Sequence, residues 1–137
     1  MIGKLDETLD FQASALKLRG YRQQLLASNL ANADTPNYKA VDFNFAESMK
    51  AATSAPGGQV APAPLQITSP AHLRGIASAP PGVRVQFRGA LQTSIDGNSV
   101  DLDAERAQFA DNAVRYEAAV RFLNGQIRDL TTAMKGE

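Results

Sequence analysis

An apolar repeat near the C-terminal end constrains this chain more than any other feature. Phe109, Ala113, Tyr116, Val120, Leu123, Ile127, Leu130 and Met134 alternate spacings of four and three. On a helix that spacing makes one continuous seam over nearly four heptads, with Ala, Val, Ile and Met on one position and Phe, Tyr, Leu and Leu on the other. Asp101 or Asp103 can cap the start, and Gly136 follows Lys135 as a helix stop. A helix over 101–135 would be about 50 Å long at ~1.5 Å per residue. A chain of 137 residues cannot cover so long a helix with a compact body of its own. The repeat therefore calls for a partner helix alongside and for other subunits beyond it.

Residues 5–33 supply that partner. Good helix formers run through LKLRGYRQQLLASNLAN, with Asp6, Glu7 and Asp10 near the start, where carboxylates suit the positive end of the helix dipole. Thr35-Pro36 closes the element, because proline disfavours helical geometry in the residue before it. Gly20 lies inside and weakens the helix by about 1 kcal/mol relative to Ala, which suggests a close neighbour. The helix has two apolar sides: Leu5, Leu9, Ala13, Leu16, Gly20, Ala27 and Leu30 on one, Phe11, Leu18, Tyr21 and Leu25 nearly opposite. A surface helix of a monomer needs only one such stripe. Two stripes mean a sandwiched helix, and neighbouring molecules are the expected cover.

The middle, 34–100, reads as largely irregular. Residues 51–71 carry no charge and hold four of the seven prolines, a composition too poor in buried-type side chains to order itself. Residues 83–88, VRVQFR, alternate as a short strand does and suggest a small β element. The expected fold is thus one mainly α unit over 1–137: long N- and C-terminal helices pairing as a coiled coil around an irregular centre.

Candidate chemistry is sparse. Fourteen Lys and Arg balance fourteen Asp and Glu, which argues against a polyanion partner such as nucleic acid. There is no cysteine and one histidine, His72, so thiolate sites, disulfides and a histidine-rich metal centre are excluded. His72 lacks any nucleophile context and reads as a loop residue. Gly57-Gly58 has no following Lys-Ser/Thr and is not a phosphate loop. The stretch from Asp96 to Glu105 looks like a calcium loop but has Val100 and Asp101 at the wrong places; a turn at Asp96-Gly97 followed by a helix cap explains it better. No catalytic residue, cofactor or metal site is expected. No run of apolar residues is long enough to span a bilayer, direct lipid binding is not expected, and the first residues do not resemble a secretory signal.

The string NLANADTPNYKA, residues 29–40, is more telling. Asn tolerates left-handed geometry and Pro stops a helix, so it reads as a helix end followed by a turn. It also resembles the signature of the flagellar axial family of rod, hook and hook-associated proteins, roughly A-N-x-x-T-P-G-Y. Asn29, Ala31, Asn32, Thr35, Pro36 and Tyr38 carry the match; Asn37 stands where the family usually has Gly. The short length resembles a rod subunit, and DGNSVDLDAERAQFADNAVRYEAAVRFLNGQ and SPAHL are similar to one small proximal-rod member of the family.

The resemblance implies a structural subunit of the bacterial flagellar basal body, exported through the flagellar type III gate without a cleaved signal peptide. It implies helical assembly across the periplasmic space. The implied partners are other copies, other rod subunits, ring and rod-base adaptor proteins, and the export gate. Phe45 and Met49 fit the F-x-x-x-apolar element that the gate reads in related subunits. The residues expected at subunit contacts are Leu9, Leu16, Leu18 and Leu25, then Phe109, Tyr116, Val120, Leu123, Ile127 and Leu130. A charge at Leu123 is expected to block assembly and leave export intact. The alternatives are another small rod subunit, a coiled-coil adaptor or export chaperone, and, more remotely, a hydrolase using His72.

Overall fold

The computed structural model describes residues 2–54, 79–80, 82–89 and 95–136. His72, the SPAHL string, Gly57-Gly58 and nearly all of the 51–71 stretch lie outside them. Five elements follow in order: α1 (Ile2–Ala31), β1 (Val41–Phe43), α2 (Phe45–Ser54), β2 (Val85–Phe87) and α3 (Leu102–Lys135).

The two long helices stand where the sequence puts them. α1 begins earlier than expected, so Asp6, Glu7 and Asp10 fall beyond its first turn and gain little from the helix dipole. α3 starts at Asp101, whose carboxylate accepts from the Asp103 and Ala104 amides at 3.1 Å each, and it stops at Gly136 with φ 72°. Asp101, not Asp103, is therefore the cap. The helices run antiparallel: Asn29 meets Glu105, Arg19 and Gln23 meet Asn112, and Gly20 faces Tyr116.

The described part of the centre holds two short strands and a helix. VRVQFR does form a strand, and its partner is Val41–Phe43, antiparallel, with Val41 opposite Phe87 and Phe43 opposite Val85. Asn44 then caps α2, accepting from the Glu47 amide at 3.1 Å. Residues 51–54 continue that helix and do not begin the loop.

α2 and β1 cover one side of α1. Ala15, Leu18, Phe43 and Met49 form a small core, flanked by Tyr21, Leu25, Phe45 and Val83. The Tyr21 and Phe43 rings lie 5.9 Å apart and the Arg19 guanidinium sits 4.8 Å from the Phe45 ring centroid. Leu18 and Leu25, expected at subunit contacts, lie at this core. Leu18 is 2% exposed and already has its cover from within the chain, and Leu25 packs against the same cluster. The reason is α2: a ten-residue helix that composition hid supplies the apolar surface that a neighbouring molecule was expected to bring.

Candidate assembly surface

The motif at 29–40 is a knot of hydrogen bonds that ends α1 and holds the chain feeding α3. Asn29 is fully buried and treats Val41 as a strand neighbour: its Oδ1 accepts from the Val41 amide at 3.0 Å, and its Nδ2 donates to the Val41 carbonyl at 2.8 Å and to Glu105 at 3.2 Å. Asn32 folds back on the helix, donating to the Ser28 carbonyl at 2.8 Å and accepting from the Thr35 hydroxyl at 3.2 Å. The Tyr38 hydroxyl reaches Asn29 and Ser28, while Ala31 and Pro36 remain exposed.

Asn98, which the sequence reading did not single out, completes the knot. Its buried Nδ2 lies within bonding distance of the carbonyls of Asn32 at 3.1 Å, Ala33 at 2.7 Å and Thr35 at 2.9 Å. Those carbonyls are orphaned where α1 stops, and helix ends must find such partners somewhere. The Asn37 amide donates to the Asp96 carbonyl and the Ser99 amide to the Tyr38 carbonyl, at 2.9 and 3.0 Å. The segment at 96–100 is thus a clasp for the motif, with the expected turn at Asp96-Gly97 in it.

Next to the knot, charged side chains join α1, β1 and α3 through Arg88, the residue that follows β2. Arg22 grips Asp42 with two bonds, at 3.1 and 2.8 Å. Arg88 bonds Asp42 at 2.5 Å and also pairs with Glu105, and both arginines reach Gln108. Burial pushes the Asp42 carboxyl up, but hydrogen bonds from Arg22, the Phe43 amide and Arg88 outweigh it and hold the group below its ordinary value of 3.8. Arg22 is raised in turn, chiefly by its bond to Asp42. Every member has a partner, which is the condition under which a buried polar cluster stabilises a fold.

Further along, α3 is turned relative to the seam its sequence announces. The row Phe109, Tyr116, Leu123 and Leu130 leans toward α1, with Phe109, Leu123 and Leu130 half-buried and Tyr116 more exposed against Gly20. An open groove of about 610 Å³ is lined there by Ala13, Leu16, Gly20, Tyr116 and Leu123. Leu9 and Leu16 are half-buried on α1. The second row of the seam drifts outward: Ala113 and Val120 are half-buried, Ile127 is exposed and Met134 is 87% exposed. Facing α1 in its stead are Glu105 and Asn112, both buried, followed at heptad steps by Ala119 and Gln126. A rule that looks only for apolar residues passes over this row. Phe11, Val114 and Phe122 add to the apolar surface left outside. Met49 of α2 is buried in the small core, and Phe45 of the same helix packs against it.

Among the described residues no group of carboxylates or histidines is arranged to hold a metal ion, and no helix is long and apolar enough to cross a membrane. The family described as "Flagella basal body rod protein" matches residues 9–39, most of α1 and nearly all of the motif. Over 135 residues, 98% of both chains, this sequence is 42% identical to flagellar basal body rod protein FlgB of Escherichia coli strain K12. It is 40% identical over 136 residues, 99% of both chains, to the protein of the same name in Salmonella typhimurium. With that of Yersinia enterocolitica it shares 39% over 135 residues, again 98% of both. At that identity over nearly the full length, the chain belongs to the FlgB family of flagellar basal body rod proteins.

Proposed function

We infer that the chain is a structural subunit of the flagellar basal-body rod and acts by assembly, not by turning over a substrate. One observation carries this beyond the family name. α3 is about 50 Å long by the ~1.5 Å rise per helical residue, and α1 covers only one side of it. Val114, Phe122, Ile127 and Met134 stay exposed on the rest. Apolar side chains left on the uncovered sides of a long helix suit contacts with other subunits. Repeated head to tail on copies or related subunits, such a contact does not close on itself and winds a helical tube. Export through the flagellar type III gate, passage into the periplasmic space and contact with ring and rod-base proteins follow from the same reading.

Ile127→Asp separates assembly from folding better than Leu123→Asp, because Leu123 lines the groove against α1 while Ile127 is exposed. In cells lacking the native gene, Ile127→Asp is expected to leave the chain stable and exported yet yield basal bodies without rods by electron microscopy. Normal rods would remove Ile127 from the contact. A swimming deletion strain with intact rods would favour the adaptor reading instead.

Export has a separate test. Met49 is buried and Phe45 packs on the same core, so the gate must meet them before the chain folds. Phe45→Ala with Met49→Ala is expected to cut secretion, while Phe43→Ala, which damages the same core outside that spacing, is expected to leave it. Equal losses in both would assign the effect to folding.

A further inference from the structure

We propose that Asn112 sets the register of α1 on α3 and decides which side of α3 is given to α1. The residue is 2% exposed, and its Nδ2 lies 3.0 Å from the Arg19 carbonyl and 2.6 Å from Gln23 Oε1. Any leucine would fill that position with more apolar surface. A polar side chain inside a helix pair lowers stability and gains a unique alignment in return.

The sequence of α1 shows how the alignment is read. Leu9, Leu16, Gln23 and Leu30 stand at heptad steps, so Gln23 is the polar member of an otherwise leucine row. A slip of one heptad in either direction can still offer Asn112 a main-chain carbonyl like that of Arg19, but it brings Leu16 or Leu30 in place of Gln23 and leaves the second amide hydrogen beside an aliphatic chain. That is the costly state for a hydrogen-bonding group, worse than having no polar group there. Glu105, one heptad before Asn112 on α3, meets Asn29 at 3.2 Å and reinforces the same alignment.

The second choice concerns rotation. The seam from Phe109 to Met134 has only apolar side chains and the spacing of a coiled coil, so two α3 helices have a surface on which to pair with each other. Asn112 lies just outside that seam. Its bond to Gln23 turns the helix so that the Glu105–Asn112–Gln126 side meets α1 and Ile127 is left outward. Asn112 is thus a specificity-determining residue for helix pairing within one subunit.

The absence of cysteine makes cross-linking a clean readout in the full chain. Gly20→Cys with Tyr116→Cys reports the native pairing through a short bismaleimide, since a Cβ at Gly20 falls 3.6 Å from the Tyr116 ring. Ile127→Cys alone reports α3–α3 pairing as a disulfide dimer. Each is combined with Asn112→Leu and with Asn112→Leu plus Gln23→Leu, the second variant removing both polar partners so that none is left unmatched. The double change is expected to keep helicity and unfolding temperature. The native cross-link should fall by about five-fold, the equilibrium ratio matching the low end of an unpartnered buried amide, and the Ile127 dimer should rise. Native cross-linking unchanged in both leucine variants overturns the proposal. So does its loss together with helicity and with no gain in Ile127 dimer, which would make Asn112 a support of the fold and nothing more. A parent chain without the Gly20–Tyr116 link overturns the pairing itself.

Discussion

Asn37 shows how one residue type follows from backbone geometry. It has φ 61°, a left-handed conformation that asparagine tolerates better than any residue but glycine. The glycine usual in the family at this place meets the same demand, so the departure from the signature leaves the turn intact. Gly97 sits against it with φ 75°, and a Cβ there would lie 2.6 Å from Asn37 Oδ1. Gly97→Ala is expected to cost about 1–3 kcal/mol through strain and collision, seen as a lower urea midpoint. Gly20 is the opposite case. The neighbour expected of it is the Tyr116 ring, yet a Cβ would meet that ring at an ordinary 3.6 Å. Gly20→Ala should therefore stabilise the chain by about 0.5–1 kcal/mol through helix propensity. At this scale the sequence was legible where side-chain chemistry is local, as at Asn32, Thr35 and Pro36. It was silent on Asn98, whose role depends on three carbonyls more than sixty positions earlier in the chain.

The elements were legible to the extent that their signals are periodic. α1 and α3 announce themselves by length and repeat, and β2 by alternation. α2 had a signal that went unread: Asn44 with Glu47 three residues on is a helix-start signature, and Asn44 makes the matching bond. The rotation of α3 was not legible, because heptad spacing fixes a seam but not which flank of it a partner takes. That depends on Asn112 finding Gln23 and on Glu105 finding Arg88 and Asn29. The joint between elements also carries a pH dependence. Asp42 binds its proton less readily folded than unfolded, so its contribution is whole above the ordinary carboxylate range and is lost as the pH falls through and below 3.8. The urea midpoint is expected to drop between about pH 5 and pH 3, and Asp42→Asn to be less stable at neutral pH with a shallower drop. An equal drop in the variant would move the effect to other carboxylates.

At the scale of the molecule, apolar surface divides into what the chain covers itself and what it leaves. Leu18 is covered within the chain, and Leu18→Ala is expected to cost about 2–5 kcal/mol, as for other fully buried leucines. The outward residues of α3 are the ones the proposed assembly would cover. Hydrogen exchange on the free chain is expected to be slowest around Leu26, Asn29 and Asn112, and fastest toward the start of α1 and the end of α3. Strong protection at those ends would mean the isolated chain is already complete. The cross-helix hydrogen bonds described above all lie between Asn112 and the motif knot. A pair of rods clamped at one end behaves like a tuning fork: stiff at the handle, increasingly compliant toward the tips. Small spreading of the tips would cost little bending energy per residue, so that in the proposed assembly copies of one sequence would fit neighbours of unequal shape without breaking the clamp. Such a subunit suits a position in a shaft where the parts above and below differ.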